Sequence, residues 1–413
     1  MREALDFVLR GARFRHGGAE RLADIGIRNG VIAAIDAAIT SDARSFDAGG
    51  RIVIPGFVDT HIHLDKSCIF HRCKIEKGTL QEAISEVAAA KRDFTEADIY
   101  DRARQTLEKA IVRGTTHMRT HVEVDPRIGL KGYDAISRLK RDYAWAIDLE
   151  ICVFPQEGLL NDPGTDELLV EACERGADLI GGCPYTDSDP KGHTARIFTL
   201  AQQYDLDIDF HLDFDLDPQR MDLDEICRQT TAHKWGGRVA IGHVTKLSAL
   251  APEAFAAKGK ELAEAGVAVT VLPATDLFLM GRAHDHNVPR GVTPAHRLLA
   301  HGVNCSLATN NVLNPFTPFG DCSLARMANL YANIAQTGTV EEIASCFDMV
   351  TERPAKLMNL RGYGIGVGNA ADFVVLDCES AFSAVAEIAQ PVVGFKRGVQ
   401  TFSHALPVIH RPA

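Results

Sequence analysis

The chain has 413 residues, 46% hydrophobic and 24% charged, with a net charge of −11, an ordinary balance for a globular protein with a sizeable core. Lysine and arginine are scattered without a basic block, and no window approaches the roughly 20 apolar residues of a membrane span, so nucleic acid and membrane are excluded as partners and a small molecule is expected. Ten cysteines spread singly, and a start that carries Arg2, Glu3, Asp6 and Arg10 without an apolar leader, predict reduced thiols in a cytoplasmic chain.

From residue 6 to 53 the apolar runs are short and punctuated by Gly or Asn-Gly, which predicts antiparallel strands joined by tight hairpins. The tail from about 362 repeats that style. Segments 1–55 and 359–413 are therefore expected to form one small β-sandwich domain around a long middle, 56–358. There the β-rich runs fall at 57–64, 116–122, 147–154, 178–183, 206–212, 238–244, 267–272 and 303–309. Helical patterns with apolar spacings of three and four separate most of them, as in T-E-A-D-I-Y-D-R-A-R-Q-T-L-E-K-A-I-V-R and D-E-L-L-V-E-A-C-E-R. Eight such units predict an α/β fold, a (β/α)8 TIM-like barrel. A doubly wound open sheet is the alternative, disfavoured because polar groups follow many strands, as a ring with one common mouth requires.

The first barrel run, V-I-P-G-F-V-D-T-H-I-H-L-D-K-S, enters through Pro55-Gly56 and holds His61 and His63 two apart. Residues i and i+2 of a strand share a face, so both imidazoles project the same way and make half of a site for a borderline-soft divalent metal. A polar stripe is the plain alternative. Further histidines end later runs, His211 in I-D-F-H-L-D-F-D and His243 in V-A-I-G-H-V-T-K. Gln156 ends the third run and Asn310 the eighth, so on a barrel all of these converge on the C-terminal mouth. Gln156 as a loop cap, Glu157 as a solvated charge and His243 as a satisfied core histidine are the bland readings. Cys68, beside the histidine strand, reads as core rather than ligand. His117 and His121 read as structural, or as supports behind the metal ligands, and His284 with His286 as either a lid or a stray surface pair.

The motifs P-G-F-V-D-T-H-I-H-L-D-K, R-T-H-V-E-V, V-F-P-Q-E-G, H-L-D-F, G-H-V-T and L-A-T-N-N-V with P-F-G resemble the cytosine deaminase branch of the amidohydrolase superfamily. They are also similar to its isopropylammelide amidohydrolases. The resemblance implies that His61, His63 and His211 ligate one divalent ion, zinc or iron, that His243 holds or polarises its water, and that Gln156 contacts a heterocyclic ring. It also implies an active-site role for Lys66, which the triazine-side relatives possess, and a homo-oligomeric state. The fourth run has no lysine to become a bridging carbamate, so one ion is expected.

Two carboxylates of that pattern are replaced. Phe214 stands where the deaminases have a proton-shuttling glutamate, and Asn310 stands where they have a metal-binding aspartate. An amide is no general base, although its carbonyl oxygen coordinates weakly, so Asn310 is a candidate fourth ligand. The remaining candidates are His243, Lys66 and Asp213 for catalysis, Asp213 because it lies two after His211, and Gln156, Phe214 and Asn311 for substrate contact. Asp65, two after His63, is placed to orient Lys66. The expected activity is hydrolysis of a C–N bond in a small nitrogen heterocycle. N-dealkylation or dechlorination of a triazine is the first alternative, and a catalytically silent metal- or heterocycle-binding relative the second.

Overall fold

A strand flanked by neighbours and covered on both faces reads as a continuous apolar run, and Phe57–Ile62 is buried at all six of its positions. In the computed structural model, which describes residues 4–17, 19–405 and 407–410, seven more strands follow. They are Thr115–Glu123, Asp148–Phe154, Leu179–Gly182, Asp207–Leu212, Val239–His243, Val267–Val271 and Cys305–Leu307, one for each predicted run. All eight lie side by side in chain order in one sheet, and each adjacent pair is parallel. The seam between the first and the eighth is closed by Asn310. Its N–H donates to the His61 carbonyl at 2.7 Å, and its own carbonyl accepts from the His63 N–H at 2.9 Å. An open sheet would leave those edges unpaired, so the ring is a (β/α)8 barrel. Hydroxyls reinforce the seam, with Thr60 Oγ1 at 2.8 Å from Ser306 Oγ, which lies 3.0 Å from Thr270 Oγ1.

The two helical patterns quoted above become Glu96–Val112 and Thr165–Glu174. Thr95 starts the first by accepting from the Asp98 N–H, a cap worth about 1 kcal/mol. Between the first strand and this helix lies an additional helix, Leu80–Ala90, capped by Thr79, which carries Leu80 and Ile84 to the mouth of the barrel.

The chain ends build two four-stranded sheets. One orders Val31–Asp36, Ala19–Arg28, Phe7–His16 and Arg44–Asp47, and the other Val399–Ser403, Pro391–Lys396, Phe373–Leu376 and Val53–Ile54. A strand from before the barrel thus completes a sheet from after it, and Phe7, Phe14, Val53, Phe373, Val375 and Phe395 share one core. Asn29 and Gly30 both take positive φ between two of these strands, as the predicted two-residue hairpin turn requires. All ten cysteines are free and seven are buried. No described helix is long and apolar enough to cross a membrane.

Candidate active site

Strand alternation delivers the histidines as expected. His61 lies on the first barrel strand, His63 just beyond it and His211 on the fifth. The Nε2 atoms of His61 and His63 each lie 3.1 Å from Nε2 of His211. Burial drives all three imidazoles well below their ordinary pKa, so they are neutral. Their Nδ1 atoms have no hydrogen-bond partner among the described residues. Bonds of about 2.1 Å from one ion to nitrogens 3.1 Å apart open by about 95°, between the angles of octahedral and tetrahedral sites. The donor set therefore fits a divalent ion. Three further clusters of potential ligands occur among the described residues. Two already enclose a lysine ammonium: Lys396 against Asp148 and Asp372, and Lys91 against Glu123, Asp125 and Glu157. In the third, His121 stacks on His61 with centroids 3.8 Å apart, so the two ring planes do not aim at one point.

His243 ends the sixth strand with φ +69°, and Val244 follows at +46°, a rare conformation for a β-branched residue. Thr293 holds this kink, its hydroxyl donating to the carbonyls of His243 and Val244 at 3.0 and 2.8 Å. His243 Nδ1 lies 2.6 Å from Asp276 Oδ1, and Asp276, on the helix Pro273–Leu279, is fully buried. Burial raises the Asp276 carboxyl while the imidazole beside it opposes the shift. With Nδ1 donating to that carboxylate, Nε2 is left as the free acceptor. The Phe214 ring sits 4.0 Å from the His243 ring, centroid to centroid.

Lys66 reaches the same cavity. Its ammonium donates to Glu123 Oε1 at 2.6 Å and to Gln156 Oε1 at 3.3 Å. The other oxygen of Glu123 accepts from Lys91 at 3.0 Å, and Lys91 also binds Asp125 at 2.6 Å and Glu157. Burial pushes the Glu123 carboxyl up, but the two ammonium groups outweigh it and hold the group below the usual carboxylate range. Glu157 is thus part of an ion network, which Arg127 extends to Asp162. Asp65 binds the backbone N–H groups of Lys66 and Glu123, both at 2.9 Å, and not the ammonium.

These groups enclose a cavity of about 20 Å³ lined by His63, Lys66, Gln156, His211, Phe214, His243, Asn310 and Asn311, together with Tyr185, Thr275, Leu80, Ile84 and Phe316. Asn310 has φ +62° and is 1% exposed. Neither its amide nitrogen nor its amide oxygen has a hydrogen-bond partner. The Asn311 amide oxygen accepts from Asn314 at 2.7 Å.

Asp213 departs from its expected place. The strand stops at Leu212, Asp213 turns to φ +49°, and its two oxygens accept from the backbone N–H groups of Asp222 and Leu223 at 2.9 and 3.1 Å. It ties down the entry to the helix Leu223–Ala232 and does not line the cavity. Burial raises its carboxyl to about 7. Cys68 Sγ contacts Thr106 Oγ1 at 3.4 Å, outside the ligand set. His117 packs beside Asp148, 3.4 Å away, and His284 and His286 are exposed outside the cavity. Asp276, Glu123 and Lys91 carry no assigned role from sequence, although Glu123 lies inside the quoted R-T-H-V-E-V.

The amidohydrolase family matches residues 44–147 and 139–401. N-isopropylammelide isopropyl amidohydrolase of Pseudomonas sp. (strain ADP) is 27% identical over 409 residues, 96% of this chain and 97% of that protein. Pterin deaminase of Rhizobium rhizogenes is 28% identical over 360 residues, 86% and 82% of the two chains. Among solved structures, 5-methylcytosine deaminase from Klebsiella pneumoniae, liganded with 5-fluorocytosine, superposes with a TM-score of 0.93 at 29% identity, covering 98% of this chain and 99% of that one. The family match spans most of the chain, and the chain belongs to the amidohydrolase family.

Proposed function

We propose that the protein is a mononuclear metal-dependent hydrolase that cleaves a C–N bond of a small nitrogen heterocycle, with the chemistry carried by the barrel, 56–358, and the small β domain formed by 1–55 and 359–413. The observation that supports it most is the convergence of three neutral Nε2 atoms beside an oriented imidazole and a buried ammonium. In this reading His61, His63 and His211 hold one divalent ion, zinc or iron, since imidazoles suit both, and the Asn310 carbonyl oxygen is a weak fourth ligand. The ion supplies Lewis acidity, which makes water nucleophilic near neutral pH. His243, its Nδ1 proton held by Asp276, takes a proton at Nε2 and returns it to the departing nitrogen. Lys66 and Gln156 donate hydrogen bonds to the ring, and Phe214, Asn311, Leu80, Ile84 and Phe316 exclude water around it. Asp213, engaged with backbone amides, takes no part in proton transfer.

Lys66, together with the likeness to N-isopropylammelide isopropyl amidohydrolase along 96% of the chain, favours a second version of the step in which the departing group is an alkylamine and not ammonia. The test is to incubate the metal-loaded protein with amino- and alkylamino-substituted pyrimidines, triazines and pterins, and to quantify ammonia and amine separately. Release of either, lost on chelation and in His243→Ala, is the expected result. No release from protein carrying one equivalent of metal would leave a silent binding protein as the reading.

A further inference from the structure

The acceptors that line the cavity are amide oxygens, hydroxyls and the Nε2 of His243, and none of them is anionic. Among the described residues none of its lining side chains is a carboxylate, and apart from the histidines Lys66 is the single ionisable cation there. The nearby carboxylates are committed elsewhere: Asp213 to two backbone amides, Asp276 to His243, and Glu123 to two lysines behind the wall. Facing inward are the Lys66 ammonium, the partnerless Asn310 amide and the Gln156 amide nitrogen, which has only a 3.6 Å contact to Cys183 Sγ.

We propose that the ligand this site is built for is a small planar anion, a ring bearing delocalised negative charge on oxo and ring-nitrogen atoms, as in a deprotonated cyclic imide. The inference rests on the metal-dependent reading above for the ion and on the chain's own residues for the rest. An ion held by three imidazoles and an amide would bring positive charge that no carboxylate lining the cavity balances, the Glu123 charge being already shared by Lys66 and Lys91, and buried charge needs a partner. A neutral amino-heterocycle presents N–H groups beside the Lys66 ammonium and the Gln156 amide nitrogen, which cannot accept them, and each one left unsatisfied costs about 1–3 kcal/mol. An anionic ring edge instead accepts from Lys66, Gln156 and Asn310, while Phe214 and Phe316, the latter 4.8 Å from the Lys66 ammonium, cover its flat faces. A volume of about 20 Å³ holds about one water, so a ring enters only as the side chains lining the cavity give way.

The test is calorimetric titration of the zinc-loaded protein with barbiturate, a planar monoanion at pH 8, and with cytosine, a neutral ring of similar size. Barbiturate is expected to bind at least about tenfold more tightly, the value of one charge-assisted hydrogen bond. Asn310→Asp, which places a carboxylate at the wall in a backbone conformation aspartate tolerates, should remove that preference, as should Lys66→Met. Metal content and thermal unfolding are measured for each variant, and if one fails to fold the wild-type ratio and the other variant decide. Equal or tighter binding of cytosine, no binding of either probe, or an unchanged ratio in folded, metal-loaded variants would overturn the proposal. Barbiturate binding without C–N cleavage of any ring would refute the hydrolase reading alone. Cleavage of neutral amino-rings without barbiturate preference would refute the anion site alone.

Discussion

Replacing Glu123 by glutamine keeps the shape of the side chain and removes the one charge that serves two buried ammonium groups. The side chains of Lys66, Glu123 and Lys91 are 3%, 4% and 2% exposed, so solvent does not take over the lost charge. Lys91 retains Asp125 and Glu157. Lys66 retains only the neutral Gln156 oxygen at 3.3 Å. Breaking a buried pair by removing one partner costs about 3–5 kcal/mol, because the other charge is left uncompensated. With an unfolding entropy of about 2.1 cal/mol/K per residue, that lowers the melting temperature of a 413-residue chain by about 3–6 °C. The assay is scanning fluorimetry on four proteins: wild type, Glu123→Gln, Lys66→Met and the double variant. Because the penalty belongs to the stranded ammonium, Lys66→Met should recover part of the loss in the Glu123→Gln background, with a coupling of at least about 1.5 kcal/mol. Strictly additive effects, or a Glu123→Gln protein that melts with the wild type, would refute the argument that Glu123 is the partner that holds Lys66 in place.

Four further outcomes are expected. The double variant His61→Ala/His63→Ala should retain almost none of the metal that plasma mass spectrometry finds in the wild type, and undiminished metal would remove both residues from the ligand set. Asn310→Asp should tighten metal binding by about tenfold or more in a chelator competition, since an anionic ligand replaces a neutral one; unchanged affinity would place the amide outside the ion's reach. Asp276→Asn should keep the metal and lower turnover at least about a hundredfold, the lower range for losing a positioned acid–base group, and full turnover would mean that His243 needs no orientation. Asp187 is the pH case: its oxygens accept from His193 Nδ1 at 2.5 Å and from the N–H groups of Leu159, Leu160 and Asn161, and these bonds outweigh burial and hold it at about 2. A depressed folded pKa gives stability that is complete above the ordinary value near 4 and is lost as pH falls towards 2, here about 2 kcal/mol. Urea midpoints at pH 5 and 2.5 should therefore differ less in Asp187→Asn than in the wild type, and an identical difference would show that Asp187 does not carry the acid sensitivity.

The barrel was legible because parallel strands buried on both faces leave unbroken apolar runs. Its eighth strand is shorter than its run, Cys305–Leu307 against 303–309, since the chain turns into the seam at Asn310. The histidines were legible for a related reason, as spacing along a strand fixes the face. Asp213 shows where that logic stops. Two residues after His211 it shares a face only while the strand continues, and the strand ends one residue too early. Asp276 was not legible at all, because its meaning lies in a partner 33 residues away. Glu123 stood within a quoted motif, yet only Lys66, 57 residues distant, and Lys91, 32 residues distant, give it a purpose.

Position 310 joins the fold and the site. Its backbone closes the barrel against both His61 and His63, so whatever side chain stands there is held beside the histidine cluster by the same hydrogen bonds that complete the sheet. The left-handed φ of +62° favours asparagine and aspartate alike among non-glycine residues, so the backbone does not select the amide over the acid. Packing does not select it either, because the two side chains are nearly isosteric and both polar ends of this amide are without partners. Leaving a buried amide unsatisfied costs about 1–3 kcal/mol, a cost that a bound ion and ligand would relieve. The choice of Asn310 is therefore chemical. It takes a negative charge away from the wall of the site and adds a donor to it, and Phe214, packed on His243, keeps a second carboxylate out of the same space.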